Sequence, residues 1–248
     1  RAPHYLKTGK IAVCPALVGP PVTLAFVLPF TIALHLAYTG ARVTLSLFAL
    51  NLQASPFTVG VLLSLLALLP MTFSVALGRL IDRVGVRKPM LAGAAMLFGG
   101  VMVAVIWPTL PALFVTSCMI GSGFILFHVA VNYLAAISGR PADRARNFSW
   151  LAISFSTSGF LGPVVAGFAI DWVGYRFTML LLACFALVTL IAVTARRVDV
   201  PLQPADAPGA TPRKLVDLLR GRSMRRVFIV SGLLSMVWDL FSFVVPIH

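Results

Sequence analysis

Long apolar runs alternate with short clusters of bases along almost the whole chain. The runs fall at about 22–50, 57–77, 89–107, 110–136, 148–170, 177–195 and 226–248. Each reaches or approaches the roughly 20 residues that a helix needs to cross a bilayer, so seven spanning helices are predicted. The first run is ambiguous, because residues 11–52 carry a single charge, Arg42, and would accommodate one long span or two short ones. Pro20-Pro21 favours a helix starting there, since proline suits a first helical turn and breaks an interior. Two spans would also turn the Arg87/Lys88 loop and the 140–146 loop outward, against the preference of bases for the cytoplasmic side. One span is expected.

Composition sharpens this picture. Of the residues, 59% are apolar and 11% charged, well outside the range of soluble domains. Twenty bases face seven acids, all aspartate, for a net charge of +13. Such a surplus would ordinarily raise nucleic acid as a partner, but these bases share neither a helix face nor a domain. All but Arg42 and Arg176 lie in the amino-terminal segment or in the segments after spans 2, 4 and 6. That asymmetry puts the amino terminus and those segments in the cytoplasm. The partner it implies is a lipid bilayer, and no nucleic acid. Cys14, Cys118 and Cys184 are far apart and odd in number, which suggests neither a disulfide framework nor a metal site. No catalytic residue, metal or cofactor is expected.

Between spans 2 and 3 lies Gly78-Arg79-Leu80-Ile81-Asp82-Arg83-Val84-Gly85-Val86-Arg87-Lys88, with one acid and four bases in what reads as a hairpin loop. Its spacing, Gly-x3-Asp-Arg-x-Gly-x-Arg-Lys, resembles the signature loop between helices 2 and 3 of the major facilitator superfamily of secondary transporters. The resemblance extends over residues 22–248 and is strongest at 78–91 and 149–176. It implies an all-α membrane protein, with a six-helix bundle built from two inverted three-helix repeats, then a linker and a partial seventh transmembrane helix. In that family the loop acts as a conformational latch, a role that would fall here to Gly78, Asp82, Arg83, Gly85, Arg87 and Lys88. The sequence carries an echo of the motif. Gly167-x3-Asp171-x2-Gly174-x-Arg176 repeats the spacing of Gly78, Asp82, Gly85 and Arg87 at a displacement of 89 residues. The two copies fall on opposite faces of the predicted topology, as inverted repeats require.

The chain is accordingly divided into an amino-terminal cytoplasmic segment (1–21), a six-helix bundle (22–195), a cytoplasmic linker (196–225) and the start of a second bundle (226–248). In the linker, Pro201, Pro204, Pro208 and Gly209 give an extended start. Thr211 and Pro212 can then open a short helix on the lipid surface, with a mobile basic loop as the alternative. The sequence starts without methionine and stops inside span 7, so a protein of roughly 12 helices is expected, with its carboxy-terminal half missing here.

Ionisable groups within a span are costly and therefore candidates for function. His35, Thr39, Arg42 and Ser46 form one polar stripe on span 1; His128 and Asn132 share a face of span 4; Ser231, Ser235, Asp239 and Ser242 share one of span 7. The resemblance implies that spans 1, 4 and 7 line a central substrate cavity. Arg42 would draw an anionic or carbonyl-bearing small-molecule substrate. Asp239, an acid inside a span, is the first candidate for proton coupling and His35 the second. The competing reading of Arg42 and Asp239 is a structural ion pair. For His128 and Asn132, hydrogen bonding between helices without substrate contact is favoured.

Ser158-x3-Gly162-Pro163-x2-Ala166-Gly167 in span 5 is similar to the glycine–proline motif of proton-coupled drug exporters. Ser or Ala replaces Gly at three positions of it, however, and close helix packing is the better reading. Many such exporters also carry an arginine where this chain has Ser117. The expected function is transport of a small solute by alternating access across a plasma membrane, the inner membrane if bacterial, with proton coupling open. The alternatives are a non-transporting sensor or scaffold of the same fold and an inactive truncated fragment. Substrate, direction and coupling ion do not follow from the sequence.

Overall fold

The computed structural model describes residues 24–195 and, beyond them, 225–226, 229–234 and 236–237. The helices are α1 (Leu24–Asn51), α2 (Pro56–Val84), α3 (Arg87–Ile106) and α4 (Leu110–Ile137), followed by a 3-10 turn at Pro141–Asp143 and the stretch Arg144–Ala195. That last stretch is two helices joined at Gly174, here α5 (144–173) and α6 (175–195). Even α3, with 20 residues, is about 30 Å long, the thickness of a bilayer's hydrocarbon core. Leu24–Asn51, Arg87–Ile106, Leu110–Ile137 and Arg144–Ala195 are all long and apolar enough to cross a membrane.

Two features suit these helices to lipid. Large apolar side chains stand exposed, among them Trp107, Phe168, Trp172 and Phe177. The interior, in contrast, holds many small residues. Ala37, Ala41, Ala94, Ala130 and Ala186 are fully buried, and small side chains let helix backbones approach where lipid removes any hydrophobic drive to associate. α1 packs on the α5–α6 stretch, α2 on α4, and α3 on both α4 and the α5–α6 stretch.

The connections are tighter than the apolar runs predict. Residues 78–84, expected in a loop, complete α2, while Arg87 and Lys88 already belong to α3. The turn is Gly85 and Val86 alone. Charges end an apolar run without ending a helix; what ends α2 is Gly85, at φ 78 and ψ 173, a conformation glycine enters without steric penalty. The predicted 171–176 turn shrinks in the same way to Gly174, at φ 76 and ψ 173.

Side chains secure two other junctions. Ser55 caps α2 by accepting from the Thr58 amide at 3.2 Å, with Pro56 in the first turn. Asn147, buried near the start of α5, donates to the carbonyls of Ser138 (2.7 Å) and Ala135 (3.2 Å), which belong to the end of α4. Carbonyls there lack partners within their own helix. Asn147→Ala should therefore destabilise the protein by about 1–3 kcal/mol, read as a lower thermal midpoint in detergent. An unchanged midpoint would mean that water satisfies this junction. The exposed pairs of Asp143 with Arg140 and Arg146 add little by comparison.

The predicted segment 1–21, linker residues 196–224 and Asp239 lie outside the described residues. Of span 7, the described positions are helical and exposed.

Candidate functional site

Arg42 and Tyr38, one helical turn apart on α1, border a cleft of about 670 Å³ against α2. Phe57, Val61, Ser64 and Leu68 line its opposite wall. This volume is in the range of small-molecule sites, as is the lining, apolar with a few placed polar groups. Arg42 is half-buried and puts a fixed cation beside the cleft. The Ser64 hydroxyl donates to the Gly60 carbonyl at 2.8 Å.

Tyr38 connects the cleft to a cluster of rings. It stacks on Phe124 of α4, with centroids 3.8 Å apart and planes 9° from parallel. Phe124 lies 5.2 Å from the ring of His35 and 5.1 Å from that of His128. Phe155 of α5 touches both histidines as well, at 5.0 and 4.7 Å. One histidine from α1 and one from α4 thus share the same two phenylalanines. The Nδ1 atom of each is buried without a hydrogen-bond partner among the described residues.

The polar stripe of span 1 is divided by packing. His35 joins the rings and Arg42 the cleft, whereas the Thr39 hydroxyl turns to α5, 3.0 Å from the Ser158 carbonyl as well as from that of His35. A Cβ added to Gly162 would overlap Thr39 Oγ1 and come within 2.9 Å of the Leu36 carbonyl. Ser158 and Gly162, from the glycine–proline-like stretch of span 5, are therefore at the α1–α5 crossing. Ser46 is buried and donates to Val43 in its own helix at 2.8 Å. Asn132 donates back to the His128 carbonyl at 2.8 Å, within α4 and not across to a neighbour. Ser117 is fully buried, its hydroxyl without a hydrogen-bond partner among the described residues.

In the signature stretch, Gly78 has open space where a Cβ would stand, and Arg83 and Lys88 are exposed. The side chain of Asp82 lies outside those described. Arg87 Nη2 donates to the Thr194 carbonyl at 3.2 Å. In the echo, Gly167 also has open space around it and Asp171 is exposed. Arg176 Nε donates to the Val105 carbonyl at 2.7 Å. Among the described residues no group of three or more His, Cys, Asp or Glu could hold a metal ion.

Sequence reasoning missed Tyr38, Phe124, Phe155 and Ser64. A signal existed for two of them: Tyr38 follows His35 by three residues and Phe124 precedes His128 by four, the spacings that share a helix face.

The family model described as Major Facilitator Superfamily matches residues 27–248. Two uncharacterized MFS-type transporters of Mycobacterium tuberculosis, one from strain CDC 1551 / Oshkosh and one from strain H37Rv, are each 32% identical over 127 residues. The match takes in 49% of this chain and 30% of theirs. Among solved structures, a mutant of the peptide transporter POT superposes with a TM-score of 0.66 at 20% identity, over 90% of this chain and 48% of that one. A POT family transporter in complex with 5-aminolevulinic acid gives 0.63 at 18% identity, over 88% and 46%. At these identities the likeness is one of fold. The match thus spans under a third of the curated relatives and just under half of the solved chains.

Proposed function

Because the chain belongs to the Major Facilitator Superfamily, a family of membrane transporters, we propose that it supplies one half of a secondary transporter that carries a small solute by alternating access. The observation that carries this reading is Arg42, a charge kept inside a spanning helix beside a cleft of about 670 Å³. A charge so placed is costly in a membrane and is retained where it meets a solute or a partner charge. In this reading Arg42 binds an anionic or carbonyl group of the solute, Tyr38 and the apolar lining hold its body, and His35 and His128 serve as the proton-coupling groups.

The architecture proposed is a six-helix bundle over 22–195 in two inverted three-helix repeats, a linker over 196–225 and the start of a second bundle at 226–248. Support comes from Gly85 and Gly174, which stand 89 residues apart with φ 78 and 76 and the same ψ of 173. The second bundle would complete the cavity and meet the latch formed by Asp82 and its neighbours. The cluster of bases at the Gly85 turn supports a cytoplasmic position for that face, at a plasma membrane in this reading.

A cysteine at Ser64, in an otherwise cysteine-free full-length protein, tests the cleft. An impermeant maleimide should reach it from one side of the membrane and arrest uptake. A cysteine there that stays inert from both sides would turn the cleft to lipid and end this reading. Orientation is checked the same way. In intact cells a cysteine at exposed Asp171 should label and one at exposed Lys88 should not, and the reverse pattern would invert the topology.

A further inference from the structure

We propose that Arg87 and Arg176 are the two ends of a single clamp that makes α3 and α6 one rigid body. Arg87, the first residue of α3, reaches the Thr194 carbonyl, one residue before α6 ends. Arg176, near the start of α6, reaches the Val105 carbonyl, one residue before α3 ends. The helices are therefore antiparallel, and each presents an arginine to the other's carboxy-terminal turn. The exchange is reciprocal in register: the donors are 89 residues apart, and so are the acceptors. Each arginine follows by two residues a glycine in the same backbone conformation. The glycine reverses the chain, and the residue two positions on then faces the end of the other helix.

The chemistry suits both ends. The last carbonyls of a helix lack partners in their own helix, and the negative end of the helix dipole favours a cation. A guanidinium donating there satisfies both needs, and a bond with one charged partner is stronger than a neutral one. Holding one end alone would leave α3 and α6 free to splay at the other. Held at both, they transmit displacement at the Gly85 turn to the Gly174 turn, about 30 Å away along α3. Arg176 is thereby a positioning residue for the conformational switch, although it lies outside the signature stretch. The clamp rests on the packing of α3 against α6 and holds whatever solute is carried.

The experiment uses a single cysteine at Thr178, a fully buried position on α6 near Arg176, in the cysteine-free full-length protein. Maleimide should modify it slowly in the parent. Arg176→Gln should raise the rate about tenfold or more, in keeping with loss of a charge-assisted hydrogen bond. Arg87→Gln, at the far end, should also raise it several-fold, beyond the reach expected of an independent site at that distance. A control cysteine at Ala130, fully buried in α4, should keep the parent rate in both variants. If Arg87→Gln does not accumulate, Arg87→Lys, which keeps the charge without the planar fork, is read by the same criteria. A Thr178 cysteine that responds to Arg176 alone would make the two arginines separate local caps. Faster labelling at both Thr178 and Ala130 would mean general loosening. Either result overturns the proposal.

Discussion

Gly93→Val should leave no folded protein to purify. A Cβ at Gly93 would stand 2.6 Å from the Gly123 carbonyl oxygen and 2.7 Å from the Phe127 amide nitrogen, and one at Gly123 would meet the Gly93 carbonyl at 2.7 Å. These neighbours are backbone, which cannot rotate aside, so α3 and α4 would have to separate along their crossing. Overpacking commonly costs about 1–3 kcal/mol where side chains can adjust. Here they cannot, and the penalty approaches the whole 5–15 kcal/mol or so by which a typical protein is stable. A fluorescent fusion run on a size-exclusion column should show the sharp parental peak replaced by aggregate. Gly159→Ala and Gly167→Ala, where a Cβ meets nothing within 4 Å, should match the parent. A monodisperse Gly93→Val protein would show that the two helices do not approach this closely.

Neutralising Arg42 should have the second large effect, on uptake and not on folding. Arg42→Gln removes the cation that borders the cleft, and loss of one charge-assisted contact corresponds to about a 10- to 100-fold weaker hold on an anionic group. Thr39→Ala and Ser46→Ala should be mild, because those hydroxyls bond to main-chain carbonyls, of α5 and α1 for Thr39 and of α1 alone for Ser46, and not to the cleft. The competing role, a strut between Arg42 and Asp239 of the seventh span, makes a different forecast. A lone buried charge is far costlier than a neutral pair, so Arg42→Gln with Asp239→Asn would then recover expression and much of the uptake. Uptake and membrane yield of the two single variants and the double separate the cases. Recovery in the double variant would exclude Arg42 as a solute ligand.

The helices were legible because an apolar run long enough to cross a bilayer has few other uses. The run at 110–136 and the helix Leu110–Ile137 agree almost to the residue. Helix ends were less legible. The run at 57–77 stops where Arg79 and Asp82 begin, while α2 continues to Val84; hydropathy records where lipid contact ends, and the backbone of Gly85 decides where the helix does. In the site, His35, Arg42 and His128 stand out as polar residues amid apolar ones. Their directions do not. Thr39 and Arg42 lie only three residues apart, and whether each meets α5 or α2 depends on how those helices pack. Tyr38, Phe124 and Phe155 were hidden by their own chemistry, since aromatic residues are common in any spanning helix. The acceptors of Arg87 and Arg176 are main-chain carbonyls, which leave no trace in a sequence. Only the recurrent Gly-x-Arg gave notice that something at these two places was alike.

The short turns also dictate where the protein can be altered by an engineer. Two residues between α2 and α3, and one between α5 and α6, leave no slack for an epitope or a fluorescent domain, and an insertion at either place would pry apart the paired helix ends. The connection from Ser138 to Asp143 is different: it is longer, carries exposed Gly139 and Arg140, and is held by the Asn147 side chain in addition to the positive-φ turn at Gly139. An affinity tag belongs there, and so does a deliberate break in the chain. Expressed as two separate polypeptides divided at that point, α1–α4 would keep the turn at Gly85 and α5–α6 the turn at Gly174, each intact and ready to be recombined in a membrane.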